Sequence, residues 1–434
     1  MVVYLSCGTA HVAGPGGPGE SGIRTVSPQR CQPWATPEGS RQVSSESAVD
    51  LRAVAAAVRG PSGDPAALLA RWRAGRGTWF SGPRGGLLSE GATHRLDDPD
   101  DVGGVLADLA ASEREPAVVV GALPFDPTGK AALVVPRRVT WSRPLGRSVP
   151  VPAVGGPGPR WGARSVPEPA GYEAMVADAL RRMSLGELEK VVLARVLDLE
   201  ADAPIDQAAM LTGLAARDPS GYVFAVDLPA ADGGPPRTLL GASPELLISR
   251  RDGEVTANPL AGSAPRRRDP ADDEATGEAL LASAKDRHEH ALVVTDVSAA
   301  LAGVCDDLDV PAEPSLIRTE AMWHLSTRIR GRSRLSALDL ARVLHPTPAV
   351  NGVPRAAAAR AITELEPFDR SFYTGMVGWT DASGDGEWVV ALRCGEVCGP
   401  SARIYAGAGL VPASEPAAEL AETTAKLETM LASM

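Results

Sequence analysis

Apolar residues recur along this chain with two different spacings, and the spacing predicts most of its elements. Ala48–Gly60 (AVDLRAVAAAVRG) and Ala66–Ala74 (AALLARWRA) read as helices, the first ended by Gly60 and Pro61. Ala117–Leu123 and Ala131–Val135 are unbroken apolar runs of strand length, and Pro144–Pro159 is a Pro- and Gly-rich connection. Tyr172–Leu185 is amphipathic, with Met175, Ala179, Leu180 and Met183 at helical spacing. Lys190–Leu199, Gly221–Leu228 and Thr238–Ser249 read as strands, and Ala275–Leu301 as one or two long helices. Glu387–Cys394 and Ala402–Ala408 read as strands, and Ala417–Leu431 as a closing helix. Strands and helices come in groups rather than in βαβ alternation, which predicts an α+β fold with antiparallel sheets.

The first 45 residues hold 12 Gly or Pro and show neither period. Residues 1–47 therefore read as a disordered tail or an early start codon. Residues 48–165 form an N-terminal part of the α/β fold without recognisable chemistry, and the region from 166 to 434 carries the informative positions.

Composition narrows the function classes. At 434 residues with 44% hydrophobic and 22% charged, the chain can bury a large core. Aromatics at 4% leave no stacking platform for single-stranded nucleic acid. A net charge of −11 repels a phosphate backbone or an anionic membrane, so neither is an expected partner, although a local donor cluster can still take a small anion. No apolar run approaches a membrane span, and the start lacks a basic, then apolar, leader. The five scattered cysteines, Cys7, Cys31, Cys305, Cys394 and Cys398, make no disulfide framework or zinc motif. A cytoplasmic protein is the expectation.

Several polar residues stand in apolar surroundings. Lys190 opens an apolar strand; it either snorkels to water or is held near neutrality in a dry pocket, where a lysine becomes a general base. Glu245 lies between two apolar segments in LLGASPELLIS, as a solvent-facing turn residue or as a carboxyl of raised pKa suited to general acid work. In KDRHEHAL, His288 and His290 diverge around a helix and cannot share a zinc, while Glu289 is either a solvated helix residue or a ligand for a hard cation. Glu419, Glu422 and Lys426 share one face of the closing helix, with Leu420, Leu427 and Leu431 on another. That face is either an exposed salt-bridged surface or a seat for Mg²⁺ and an anionic ligand. YAGAGLVP places Pro412 where a dinucleotide fingerprint needs glycine, so a Rossmann reading fails; here and in NPLAGS, glycine can bring backbone N–H groups to a carboxylate. Arg266–Arg268, followed by four acidic residues, reads as a mobile charged loop.

Taken in order, EKVVLAR, GASPELL, NPLAGSAPR, AKDRHEHALV, MWHLST, LHPTPAVNGVP, ELEPFDRSFYTGMVGW, GEWVVALRC, YAGAGLVPASEP and ELAETTAKL resemble the chorismate-utilising enzymes. The resemblance runs from about Tyr172 to Leu427. HPTPAV, PFDR and GEWVVALRC are most similar to the isochorismate synthases among them, which open siderophore catechol, salicylate or menaquinone pathways. The resemblance implies two stacked antiparallel sheets with helices outside and a central active-site cleft.

It also implies roles. Lys190 would activate the water that attacks C2 of chorismate, and Glu245 would protonate the departing C4 hydroxyl. Glu289 and Glu422 would hold Mg²⁺ with Glu419 in support. Arg393 and Lys426 would pair with substrate carboxylates, helped by backbone N–H groups around Gly262 and Gly407. His324 would help fix the ring carboxylate, and Ser263, Ala349, Val350, Tyr373 and Leu392 would complete the substrate pocket. Because the product is an isomer, no redox cofactor is required. Val350 stands where leucine is common in isochorismate synthases, and Tyr373 where salicylate synthases, which go on to eliminate pyruvate, carry tyrosine. A salicylate synthase and an inactive chorismate-binding homologue are thus the alternatives. The chain holds no glutaminase-like unit and Lys190 matches the water-activating position, so water is the expected nucleophile, no glutaminase partner is expected, and a monomer is the default.

Overall fold

Strands that alternate between two apolar faces need cover on both sides, and four layers supply it here. The computed structural model describes residues 63–112, 116–146, 149, 160–230, 235–320 and 322–434, which fall in one compact unit. The tail and the helix expected at Ala48–Gly60 lie outside the described residues, as does most of Pro144–Pro159.

Across the larger sheet the strands run Gly352–Val353, Lys190–Ala201, Ser401–Leu410, Cys394–Cys398, Arg237–Ser243, Tyr222–Leu228, Trp79–Gly82, Gly85–Glu90 and Arg138–Ser142, with Trp161–Val166 pairing Lys190–Ala201. The second sheet runs Asp306–Asp309, Ile329–Arg332, Glu254–Asn258, Leu246–Arg251, Gly386–Val390, Met376–Asp381, Val118–Leu123, Ala132–Val135 and His94–Leu96. A third sheet, not anticipated from the sequence, joins Leu260–Pro265, Met322–Ser326 and Ser315–Arg318. Neighbouring strands are antiparallel throughout, as in Gly407 opposite Ala194 and Ser263 opposite His324.

The two large sheets stack face to face. Phe80, Phe224, Leu239 and Tyr405 of one interleave with Val120, Ala122, Val377 and Val389 of the other. Alternate residues turn outward. Val223, Leu240 and Ile404 pack on helices Pro65–Arg71, Gln207–Arg217 and Pro416–Leu431. On the far side, Trp388 and Ile248 pack against Val102–Ala111, Ala284–Ala302 and Ala337–Leu344. Helices Pro169–Ser184 and Arg355–Leu365 cover Val191 and Leu193. Each large side chain so buried contributes roughly 1.5–3 kcal/mol.

Two strands expected to be continuous are not. Thr238–Ser249 is broken at Pro244 and Glu245, its first half in the larger sheet and its second in the other. Glu387–Cys394 is broken at Ala391–Arg393 and changes sheet in the same way. The two breaks are neighbours: the Ala242 N–H donates to the Arg393 carbonyl (3.1 Å) and the Val390 N–H to the Glu245 carbonyl (3.2 Å). Arg393 takes φ +45°, a left-handed conformation uncommon for a residue with a Cβ. The chain bends here so that the side chains of the break face the opening between sheets.

Candidate active site

The cleft opens beside these breaks, and all but two of the expected site residues line it. The exceptions are Lys190 and Glu419, which stand just behind its wall.

Glu245 enters from the first break and is 2% exposed. Burial pushes its carboxyl up to about 8, against the Leu260 backbone N–H and the Lys190 and Lys426 charges. That N–H donates to Oε1 at 3.4 Å. The solvent-facing alternative is therefore excluded, and the carboxyl holds its proton at neutral pH. Lys190 does not snorkel: it is fully buried, its Nζ 3.1 Å from Glu289 Oε1 without hydrogen-bond alignment. Its surroundings are thus a carboxylate as well as the apolar strand. The Glu289 helix residue is buried too, and a Cβ at Gly409 would stand 2.1 Å from Glu289 Oε1. Glycine at 409 makes room for that carboxylate. His290 turns away, its Nε2 2.8 Å from Thr327 Oγ1.

The closing helix presents its polar face inward. Glu422 lies 2.7 Å from Lys426 and accepts from Ser263 Oγ at 2.8 Å. Burial pulls its pKa up, but Lys426 and Ser263 outweigh burial and hold it below the ordinary carboxylate value. Glu419 is 1% exposed and pairs through Oε1 with Lys285 (2.9 Å), and burial with the Glu422 charge holds its pKa up. The apolar side of this helix is seated by Leu427 and Met430, whereas Leu431 is exposed. Lys426 also donates to the Gly407 carbonyl at 3.0 Å.

The cationic end is built from the second break. Arg393 Nη1 donates to Thr319 Oγ1 (3.0 Å) and Nη2 to His324 Nε2 (2.7 Å). Among the described residues no carboxylate lies within ion-pair distance of this buried guanidinium, and burial lowers its pKa to about 10 despite the Asp218 charge. A guanidinium only donates, so His324 accepts at Nε2 and carries its proton at Nδ1. Burial, then the Arg393 and Lys426 charges, hold the imidazole well below its ordinary pKa, hence neutral.

The remaining wall is apolar and shaped by close approaches. Ala349, Val350, Leu392 and Tyr373 line it, with Tyr373 stacked on Tyr405 at 4.9 Å and 6°. A Cβ at Gly407 would stand 3.0 Å from the Tyr373 hydroxyl oxygen. Gly262 takes φ +78°, beside Asp286. Sequence reasoning missed Thr319, Asp218 and the pair Glu366–Arg370, the last although ELEPFDR was in view. It also misjudged Arg266, which is held by Asp273 (2.8 Å) and lies over Trp323 rather than in a mobile loop.

A family model described as chorismate binding enzyme matches residues 157–434. The chain belongs to the chorismate-binding enzyme family. Isochorismate synthase DhbC of Bacillus subtilis (strain 168) is 50% identical over 321 residues, covering 73% of this chain and 80% of the relative. Isochorismate synthase EntC of Escherichia coli (strain K12) is 41% identical over 379 residues, covering 81% and 93%. The crystal structure of DhbC from Bacillus anthracis superposes with a TM-score of 0.79 at 43% identity, covering 85% of this chain and 98% of that one. The family's α+β architecture of stacked antiparallel sheets is therefore this chain's architecture.

Among the described residues no three His, Cys, Asp or Glu side chains converge as an enclosed metal cage. Mg²⁺ needs less, because it takes one or two carboxylates and completes its shell with water and substrate oxygens. Glu289 and Glu422 both line the cleft, and Glu419 Oε2 is buried without a hydrogen-bond partner. This hard oxygen set fits such an ion. Among the described residues no helix is long and apolar enough to cross a membrane, and Cys305 and Cys394 are free thiols. Cys7 and Cys31 lie outside the described residues.

Proposed function

We propose that this chain is an isochorismate synthase, converting chorismate to isochorismate by adding water at C2 while the C4 hydroxyl leaves. The observation that carries the proposal is Glu245, a carboxyl pushed up to about 8 by burial, in one cleft with an arginine that lacks a carboxylate partner. A protonated acid beside an unneutralised cation suits a dianionic substrate that loses hydroxide.

Lys190 takes the proton of the attacking water. Its side chain is 0% exposed, against 32% for Lys285 and 22% for Lys426, the other lysines paired with the Glu289, Glu419 and Glu422 carboxylates. Glu245 gives its proton to the departing oxygen, so atoms and charge balance with no redox step. Arg393, Lys426 and the neutral His324 orient the substrate carboxylates, and Gly262, Ser263 and Gly407 let the backbone approach them. Ala349, Val350, Leu392 and Tyr373 hold the ring and exclude bulk water. Glu289 and Glu422, with Glu419 in support, would hold Mg²⁺, whose chemistry there is neutralising the ring carboxylate. In this reading residues 166–434 are the catalytic core, and the segment before it completes both sheets. The protein works as a cytoplasmic monomer with water as nucleophile and without a glutaminase subunit, supplying siderophore, salicylate or menaquinone biosynthesis.

The test is chromatography of products from chorismate with and without Mg²⁺. Isochorismate without pyruvate is expected, dependent on Mg²⁺ and lost in Lys190→Ala. Salicylate with stoichiometric pyruvate would instead make the chain a salicylate synthase and direct attention to Val350 and Tyr373. Unchanged chorismate in every condition would leave only a binding homologue.

A further inference from the structure

Arg370 is 3% exposed and does not line the cleft, yet all five of its N–H groups are engaged. Nε donates to Glu366 Oε2 at 2.8 Å and Nη2 to Glu366 Oε1 at 2.5 Å. The second Nη2 hydrogen goes to the Val192 carbonyl (2.8 Å). Nη1 serves the Val350 carbonyl (2.8 Å) and Thr374 Oγ1 (3.3 Å). Glu366 Oε1 accepts in addition from the Ala194 N–H at 2.7 Å. The guanidinium lies over the Phe125 ring at 4.6 Å, and the Phe125 carbonyl faces His345 Nε2 at 3.0 Å.

The acceptors are not scattered. Val192 and Ala194 belong to the strand opened by Lys190, and Val192, Val350 and Thr374 each line the cleft. We propose that Arg370, clamped by Glu366, is a positioning residue: its planar fork sets the spacing between the Lys190 strand and the cleft walls at 350 and 374. A fully satisfied buried network is stiff, and a fork of five fixed donors specifies distances that a point charge cannot. The inference rests on the isochorismate synthase reading and deepens it, since the distance it sets is that from the general base to the substrate's ring. Positional errors near 1 Å at a reacting centre cost about 100-fold in rate.

Arg370→Lys keeps the charge and loses the fork. Single-turnover reactions with enzyme in excess over chorismate read the effect, because the saturating rate constant belongs to folded sites and ignores any unfolded fraction. We expect that constant to fall by about 10- to 100-fold, with the half-saturating enzyme concentration moved less than about threefold. A wild-type saturating rate constant alongside a lowered Tm would show that Arg370 serves the fold alone and would overturn the proposal. Should Arg370→Lys not fold, Glu366→Gln asks the same question, since either orientation of its amide turns an NH2 group toward a donor. Wild-type enzyme that consumes no chorismate would overturn the functional reading, and the positioning role with it. Turnover by wild type and by both variants at one rate constant would overturn the positioning role only.

Discussion

Arg370 and Arg393 are both buried, and their surroundings are opposite. Arg370 has a carboxylate on its fork and three more acceptors around it; every donor is met from within the protein. Arg393 is left with a threonine hydroxyl and a histidine nitrogen, on a strained backbone, in a cleft that also holds Lys426. A buried charge is tolerated when it is paired, and unpaired it is costly. The first arrangement builds a rigid frame. The second withholds the partner, which under the proposed function a substrate carboxylate would supply. Glu245 extends the contrast: Glu366 meets a guanidinium, whereas Glu245 meets a single long N–H contact and keeps its proton.

The difference can be broken most severely at Glu245. Replacing Glu245 with Gln removes the acid and keeps the shape, so kcat should fall by about 10²–10⁴-fold, measured by isochorismate formation. In wild type, kcat/KM should decline on the alkaline side with a midpoint near the carboxyl's value of about 8, because the acid must be protonated. An alkaline limb absent up to pH 9 would contradict the assignment.

The same variant should be more stable than wild type where the comparison predicts strain. The folded-state pKa of Glu245 lies above its unfolded value, so the folded protein binds this proton more tightly. Wild-type stability is therefore lost as pH rises from about 4.5 to about 8. Glutamine has no such loss. The stability gap should widen across that window, reaching on the order of 4 kcal/mol. Denaturant titrations at pH 5 and pH 8 measure it, and an equal gap at both would show Glu245 to be solvated.

Arg393→Lys sharpens the other half. It keeps a cation but loses planar, bidentate carboxylate recognition. KM for chorismate should rise about 10- to 100-fold, with a smaller change in kcat. An unchanged KM would mean that the substrate carboxylates lie elsewhere.

Why the sequence showed some of this and hid the rest follows from where each signal lives. Long apolar or amphipathic runs, such as Lys190–Ala201 and Pro169–Ser184, declared themselves by periodicity. Short polar strands such as Asp306–Asp309 carry no such signal, and the strongly amphipathic helix Ala337–Leu344 was overlooked. The two sheet changes were invisible because apolar character continues across Leu246 and across Ala391 and Leu392, and periodicity does not report which sheet receives a strand. Pro244 was the available clue. For Lys190 and Glu245 local reasoning left the solvent-facing reading open, because the residues that bury them come from distant segments, including Glu289 and Leu260. Only the ordered set of motifs placed them together. Arg370 was missed for a related reason: its partners, Glu366 apart, are backbone carbonyls and a hydroxyl, which leave no mark on sequence pattern.

The central claim is that water, deprotonated by Lys190, replaces the hydroxyl that Glu245 expels. Turnover of unlabelled chorismate in H₂¹⁸O, followed by mass spectrometry of the isochorismate, tests it most directly. The account predicts one solvent-derived ¹⁸O per isochorismate, located at the C2 hydroxyl. Isochorismate without solvent oxygen would mean that the hydroxyl migrates within the substrate, and would contradict the base and acid roles assigned to Lys190 and Glu245.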